Sequence, residues 1–299
     1  MRGKLFSIFF ALMLGLPVSA GAFEGFVKIT PQRELFVQWD EAKEGQPTVI
    51  LLNGLTYSTR QFASFRKELI KSGIGVIRYD MMGMGQTLLK YAPVVSMISY
   101  EDQVRDLKKL IEALELETPV HLVGLSYGGG IAMAFAAQNP NMVKNVLLMA
   151  PFTEPVASQD QWIKSQVWYT RKVYPFNPYS DDDLYDYFLR QIVYTTYPAA
   201  EPIVLENPFK LEATFRMVQG IRKWRADRDV PRLPKKSVHL LIAEKDQYIE
   251  RSVLETFWDG VPAAQRGSKS ILKGSEHKVP EAKPVEAARW VKGIVNGKK

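Results

Sequence analysis

The sequence contains no cysteine. Without thiols there is no disulfide framework, no thiolate nucleophile and no lipid attached through cysteine. A chain of this kind folds in an oxidising compartment without pairing errors. Histidine is nearly as scarce. Three are present, none in a His-x-x-x-His arrangement, so a protein-built zinc site is not expected, and no cofactor is expected either. A block of one charge is also missing. The formal charge is +7, and the densest basic patch, Arg222-Lys223-Trp224-Arg225 with Arg228, is interrupted by Asp227 and Asp229. It reads as a solvated helix face, and nucleic acid is not an expected partner. The dinucleotide fingerprint is incomplete: Gly83-x-Gly85 is followed by Leu88 where the third glycine belongs. Internal repeats and low-complexity segments are absent.

Long apolar runs are missing apart from one near the start. Arg2 and Lys4 precede apolar residues from Leu5 to Leu16, followed by Pro17 and the small residues Ser19, Ala20, Gly21 and Ala22. This pattern reads as a secretory signal peptide over 1–22, cleaved at Ala20-Gly21-Ala22. A retained membrane anchor is the alternative, but the run is short for a bilayer and ends without a positive stop. The expected destination is periplasmic or secreted, with no stable membrane span after cleavage.

What remains alternates between strands and helices. Gly25-Phe26-Val27-Lys28-Ile29 and Leu35-Phe36-Val37-Gln38-Trp39 read as two antiparallel strands turning at Pro31-Gln32. Thr48-Val49-Ile50-Leu51-Leu52 and Gly75-Val76-Ile77-Arg78-Tyr79-Asp80 are buried strands. Between them Phe62, Phe65, Leu69 and Ile70 have helical spacing, closed by Gly73. An amphipathic helix is predicted over 99–116, capped by Ser99, with Val104, Leu107, Leu110, Ile111 and Leu114 on one face. Later strands are predicted at 119–123, 145–150, 238–243 and 270–272, and later helices at 251–258 and from about 282 to 295. The last packs through Val285, Ala288, Val291 and Ile294. This alternation implies an α/β class with a mostly parallel sheet and helices on both faces.

Between 152 and 234 the pattern breaks. Eight prolines cut this stretch into short pieces, and it holds seven of the thirteen tyrosines and three of the six tryptophans. It reads as an inserted, mainly helical lid whose aromatics mostly form its own core, with 23–151 and 235–299 as the domain it interrupts.

One stretch organises the chain. Gly124-Leu125-Ser126-Tyr127-Gly128 joins a buried strand to the predicted helix 131–138. A strand that turns into a helix so abruptly strains its apex residue, and the flanking glycines leave room for neighbouring backbone. Ser126 is then presented as a nucleophile on an elbow. A serine hydroxyl needs a base, and histidine titrates near the working pH. His121 and His239 lie in apolar strand runs and read as core imidazoles, whereas His277 sits in a polar loop after a strand. The base needs a carboxylate to fix its tautomer. Asp246, just after a buried strand, is preferred over Glu244 and Glu154. The amides of Tyr127 and Leu55 are the candidate oxyanion donors, with Gly54 allowing close approach. Tyr57 lines the pocket, donates a hydroxyl, or only packs on the loop.

From roughly Phe36 to Val295 the chain resembles the α/β-hydrolase family, in its serine-nucleophile, lid-bearing, esterase/lipase-like branch. The resemblance is carried by Asn53-Gly54, Tyr79-Asp80 with Gly83-x-Gly85 (a tight loop beside the site), the Ser126 elbow, Asp246 and His277. Asn53 stands where the family usually has His, and Ala243 where Gly often precedes the acid's loop. Ser126 in place of Asp disfavours dehalogenase and epoxide-hydrolase chemistry. The expectation is an exported serine hydrolase cleaving a carboxylic ester or related acyl bond of a small molecule through an acyl-enzyme. An aminopeptidase-type peptidase on the same fold is the alternative enzyme, and a non-catalytic binding protein on the scaffold is the alternative class.

Overall fold

The structure is a computed structural model that describes residues 22–196 and 207–297. The expected signal peptide lies outside the described residues except for Ala22, and so does the 197–206 piece of the insert. Among the described residues, no helix is long and apolar enough to cross a membrane.

Alternating burial folds the first two strands, β1 (Ala22–Thr30) and β2 (Arg33–Asp40), into a hairpin on one edge of the sheet. The runs that are apolar on both faces become the interior: β3 (Thr48–Leu52), β4 (Gly75–Asp80), β5 (Val120–Leu125), β6 (Val143–Met149) and β7 (Val238–Ala243). The far edge is β8 (Arg266–Leu272). Among the described residues the eight strands run β1-β2-β4-β3-β5-β6-β7-β8. Pairing is parallel from β4 to β8 and antiparallel for β1–β2 and β2–β4. The last strand starts well before the predicted Ser270. Its edge position leaves Arg266, Ser268 and Ser270 half-buried and the intervening residues exposed, which hides it from an apolar-run criterion.

Helices cover both faces. On one side α2 (Gly85–Tyr91), α3 (Tyr100–Ala113), α4 (Tyr127–Gln138) and α8 (Arg251–Gly260) pack on Leu122, Val146, Leu148 and Leu240. On the other, α1 (Ala63–Lys71) and α10 (Pro284–Val295) pack on Val123, Leu125, Leu147 and Leu241. A single turn, α9 (Val279–Ala282), precedes α10. The start of α3 is a reciprocal cap: Ser99 Oγ accepts from the Asp102 amide at 3.1 Å, and Asp102 accepts from the Ser99 amide at 3.0 Å. Such a cap is worth about 1 kcal/mol. Val285 does not pack: it is exposed, because α10 buries Ala287, Ala288, Val291 and Val295, about a third of a turn away.

The segment between β6 and β7 is helical, but its pieces are not short. The helices α5 (Ala157–Val173), α6 (Asp181–Thr196) and α7 (Lys210–Ile221) lie between prolines that bound them without interrupting them. Their common core is Ile163, Val167, Leu184, Leu189, Val193 and Phe215. The aromatics are mostly outside it. Trp162, Trp168, Tyr169, Tyr174, Tyr179 and Tyr187 are exposed. The basic patch also departs from expectation. The helix α7 ends at Ile221, so 222–228 does not form a solvated helix face. Arg222 turns inward to Asp186 at 2.9 Å, and Trp224 packs edge-on against Tyr100 at 4.8 Å.

Candidate active site

Ser126 lies between the end of β5 and the start of α4 with φ 49 and ψ −115, a conformation that a residue with a Cβ adopts only when its surroundings hold it there. The hold is visible. The Ser126 amide donates to Met149 O at 3.1 Å, and the Ser126 carbonyl accepts from Phe152 at 2.9 Å and Gly129 at 2.9 Å. The elbow is thereby stitched to the end of β6. Its glycines are required by close approach: a Cβ on Gly124 meets the Gly128 carbonyl oxygen at 2.5 Å, and one on Gly128 meets Leu52 O at 2.2 Å.

Beside the elbow, the chain leaves β3 through Asn53, Gly54 and Leu55. Leu55 and Tyr127 both line the cavity that contains Ser126. Among the described residues neither amide has an acceptor, as expected for Tyr127 in the first turn of a helix. The Gly54 amide is already engaged, donating to Gln61 Oε1 at 3.0 Å. Tyr57 lines the same cavity, with the Lys278 ammonium 4.9 Å from its ring centre.

The loop after β7 carries Asp246, whose Oδ1 accepts from the amides of Tyr248 at 2.8 Å and Ile249 at 2.9 Å. Its other oxygen, Oδ2, is 2.8 Å from His277 Nδ1. The carboxylate is almost fully buried and the imidazole nearly so. With Nδ1–H donating to Asp246, the lone pair of a neutral His277 is on Nε2, and His277 faces the cavity. Tyr248 packs edge-on against the imidazole with ring centres 5.1 Å apart. The structure thus brings Ser126, Leu55, Tyr127 and His277 to one cavity and pairs His277 with Asp246.

The other candidates lie elsewhere. Glu244 accepts from the Gly274 amide at 2.8 Å, and Glu154 pairs with Arg225 at 2.7 Å. His121 and His239 sit at the opposite end of the strands, joined through Asn145: its Nδ2 donates to His121 Nδ1 at 3.0 Å and its Oδ1 accepts from His239 Nε2 at 3.3 Å. Burial lowers both imidazoles to about 4. Asp80 is buried below the site and receives the Thr59 amide at 2.6 Å and the Gln86 amide at 2.7 Å. Its pKa is raised, because burial outweighs those bonds. Among the described residues no cluster of three or more His, Asp or Glu could hold a metal.

The cavity measures about 380 Å³. Its floor is Leu55, Ser126, Tyr127 and His277, and the 152–234 segment supplies Ile163, Leu189, Ile192, Val193, Val218 and Ile221. Of the nine described tyrosines and tryptophans in that segment, only Tyr185 reaches the cavity, and Phe152 is the other aromatic of the segment that lines it. The apolar lining supplied by this segment is therefore mostly aliphatic.

Residues 43–281 match a family model described as serine aminopeptidase, S33. The chain belongs to this family of α/β hydrolases. It is 35% identical over 120 residues to a 2-hydroxy-6-oxononadienedioate/2-hydroxy-6-oxononatrienedioate hydrolase of Paraburkholderia xenovorans, covering 39% of this chain and 40% of that one. It is 32% identical over 140 residues to a proline iminopeptidase of Heyndrickxia coagulans, covering 46% of each. The chain thus spans less than half the length of these curated relatives. A thermophilic esterase from Thermogutta terrifontis superposes with a TM-score of 0.64 at 15% identity, over 93% of this chain and 99% of that one. The α/β hydrolase MGS-M2 from a deep-sea metagenome gives 0.66 at 17%, over 91% and 98%. These likenesses establish the fold.

Several residues that build this family member's site have no motif around them. Gln61 engages the Gly54 amide, and Gln247 Oε1 accepts from the His277 amide at 3.3 Å. The one local signal is at Asp246, where an aspartate followed by a tight turn is a recognisable self-bonding arrangement.

Proposed function

We propose that the protein is an exported serine hydrolase that cleaves a carboxylic ester, or a related acyl bond, of a small molecule with apolar groups. The reading is carried by one arrangement: a strained serine at a strand-to-helix elbow shares a cavity with a histidine whose far nitrogen is held by a buried carboxylate. Ser126 Oγ adds to the carbonyl carbon while His277 Nε2 takes its proton, and Asp246 stabilises the imidazolium. The carbonyl oxygen becomes an oxyanion facing the Leu55 and Tyr127 amides. Collapse expels the alcohol, which receives the proton from His277. Water then repeats the sequence on the acyl-enzyme, releasing the acid and regenerating Ser126.

The cavity's charges favour an ester over a substrate with a free N-terminal ammonium. A peptidase that trims an N-terminal residue needs an anion for the substrate's ammonium. Asp160 is the only carboxylate among the described lining residues, and it is held by Lys164 at 2.6 Å and by the Tyr185 hydroxyl at 2.9 Å. The cavity's cations are Arg222, paired with Asp186 at 2.9 Å and Asp182 at 3.1 Å, and Lys278, whose ammonium is 4.9 Å from the Tyr57 ring centre. Export rests on the 1–22 pattern and is read from the N-terminus of protein recovered from cells. The test of the chemistry is labelling with a fluorophosphonate. Ser126→Ala is expected to abolish labelling and to lower kcat on p-nitrophenyl esters by about 10⁶. Undiminished turnover by a folded Ser126→Ala protein sinks the mechanism, and a parent protein that neither labels nor turns over any ester leaves the scaffold as a binding protein.

A further inference from the structure

An oxyanion donor works only if its peptide plane is already aligned when the charge develops. Among the described residues, the bonds that hold the turn carrying the Leu55 amide differ in length. The Tyr57 amide reaches Gly54 O at 3.3 Å and Asn53 Nδ2 reaches Tyr79 O at 3.4 Å, both long. The short bond in the turn is the Gly54 amide to Gln61 Oε1 at 3.0 Å, and Gln61 is only 6% exposed.

Gln61 is itself fixed. It lies in a short 3-10 helix, Thr59–Phe62, capped by Ser58. Asp80 accepts from the Thr59 amide at 2.6 Å and Arg78 donates to Thr59 O at 2.6 Å, tying this helix to β4. The other end of the Gln61 amide, Nε2, donates to Glu281 Oε1 at 3.3 Å. Glu281 is on α9, the turn that directly follows His277 and whose Val279 amide bonds to His277 O at 2.8 Å. One side chain therefore spans the turn bearing the candidate oxyanion donor and the segment bearing the candidate base, two parts of the chain 220 residues apart.

We infer that Gln61 is a positioning residue: it fixes the Asn53–Gly54 peptide, the one directly before the Gly54–Leu55 peptide that carries the donor, and, through Glu281, sets that turn against the His277 loop. This deepens the serine-hydrolase reading and rests on it. Gln61 lines the cavity, but its amide group is engaged by Gly54 and Glu281. Its effect is on where the oxyanion donor stands when the tetrahedral species forms.

The test compares Gln61→Leu, Gln61→Glu, Glu281→Gln and the swapped pair Gln61→Glu/Glu281→Gln on one p-nitrophenyl ester. Gln61→Leu removes the acceptor for Gly54 and is expected to lower kcat about 30- to 100-fold, somewhat less than deleting an oxyanion donor outright, with KM within about twofold. Affinity for a phenylboronic acid, which forms a tetrahedral adduct on the serine, is expected to fall in parallel with kcat/KM. Gln61→Glu keeps the acceptor but sets two carboxylates together, and the swapped pair restores a donor on residue 281. The pair is expected to recover kcat to within about threefold of the parent, which a merely structural role does not predict. Unchanged kcat in Gln61→Leu overturns the inference. So does a loss of kcat that tracks a lower Tm with boronate affinity intact. Fluorophosphonate labelling of the parent enzyme separates the two levels: if Ser126 is not labelled, the hydrolase reading fails and the positioning role fails with it. If Ser126 is labelled and Gln61→Leu is as active as the parent, only the positioning role fails.

Discussion

Acidification is expected to destabilise the protein from the end of the sheet remote from the candidate site. His121 and His239 are joined through Asn145, and His239 Nδ1 is also 2.9 Å from Ser268 Oγ. This chain of donors and acceptors requires His121 to be neutral, because its Nδ1 must accept from the Asn145 amide group, and burial disfavours the charged form of both rings. Burial, with the charge of Lys144 beside His121, lowers each from 6.5 to about 4 in the folded state. The sign follows from linkage. Above the unfolded value neither state binds the protons, so stability is full. Between 6.5 and about 4 the unfolded chain binds protons that the folded one refuses, so stability falls as pH falls. At pH 5 each ring costs about 2 kcal/mol by this reckoning. His239 is half-buried, solvent screens part of the penalty, and the rings share Asn145, so about 2–3 kcal/mol is expected for the two together. Urea unfolding at pH 7.5 and pH 5 should show a midpoint lower by about 1 M at the acid value. The control is His121→Gln/His239→Gln, which is less stable at pH 7.5 but should show a much flatter pH dependence. Asp80 and Asp106, whose raised pKa values act in the opposite direction, are present in both proteins and cancel in the difference. An equal loss of stability between pH 7.5 and 5 in the parent and the variant refutes the reasoning.

Asp246→Asn is expected to lower kcat by about 10⁴, the scale for losing the tautomer-setting carboxylate, while Glu154→Gln and Glu244→Gln stay within about threefold. If Glu154→Gln is the more damaging change in ester hydrolysis, the acid belongs to another loop. Gly128→Ala places a methyl 2.2 Å from Leu52 O and 2.6 Å from Asn53 O, both backbone atoms. Both stability and kcat should fall, by about 3 kcal/mol and 100-fold or more, and a variant with parent-like Tm and kcat contradicts the packing of α4 against the turn. The aliphatic lining of the 152–234 segment is expected to raise kcat/KM from acetyl to about hexanoyl esters, since each buried methylene is worth about 0.8 kcal/mol. Replacing Ile163 and Leu189 by Ser should flatten that rise, and a flat or falling profile in the parent shows that the cavity does not hold the acyl chain.

The legible parts of the chain are those whose physical demands are local. The strands β3 to β7 are buried on both faces, so each is an unbroken apolar run, and their alternation with helices implies a parallel sheet. The elbow is legible because backbone contact at Gly124 and Gly128 excludes any Cβ, which leaves a motif in five consecutive residues. Partner-dependent features are not legible in this way. The strand β8 extends beyond its apolar run because an edge strand alternates, and Val285 is exposed because spacing alone does not say which stripe of α10 meets the sheet. Prolines at 155 and 175 bound α5 and do not cut it, a distinction set by the helix's packing rather than by proline count. The exposure of Trp168, Tyr169 and Phe176 runs against composition altogether. The Gln61–Glu281 bond is the extreme case. Neither residue has a motif around it, and a glutamine seven positions after a glycine has no meaning until the fold closes the turn onto it. In this chain, groups that work through the backbone betray themselves by glycine, while the side chains that align those groups do not.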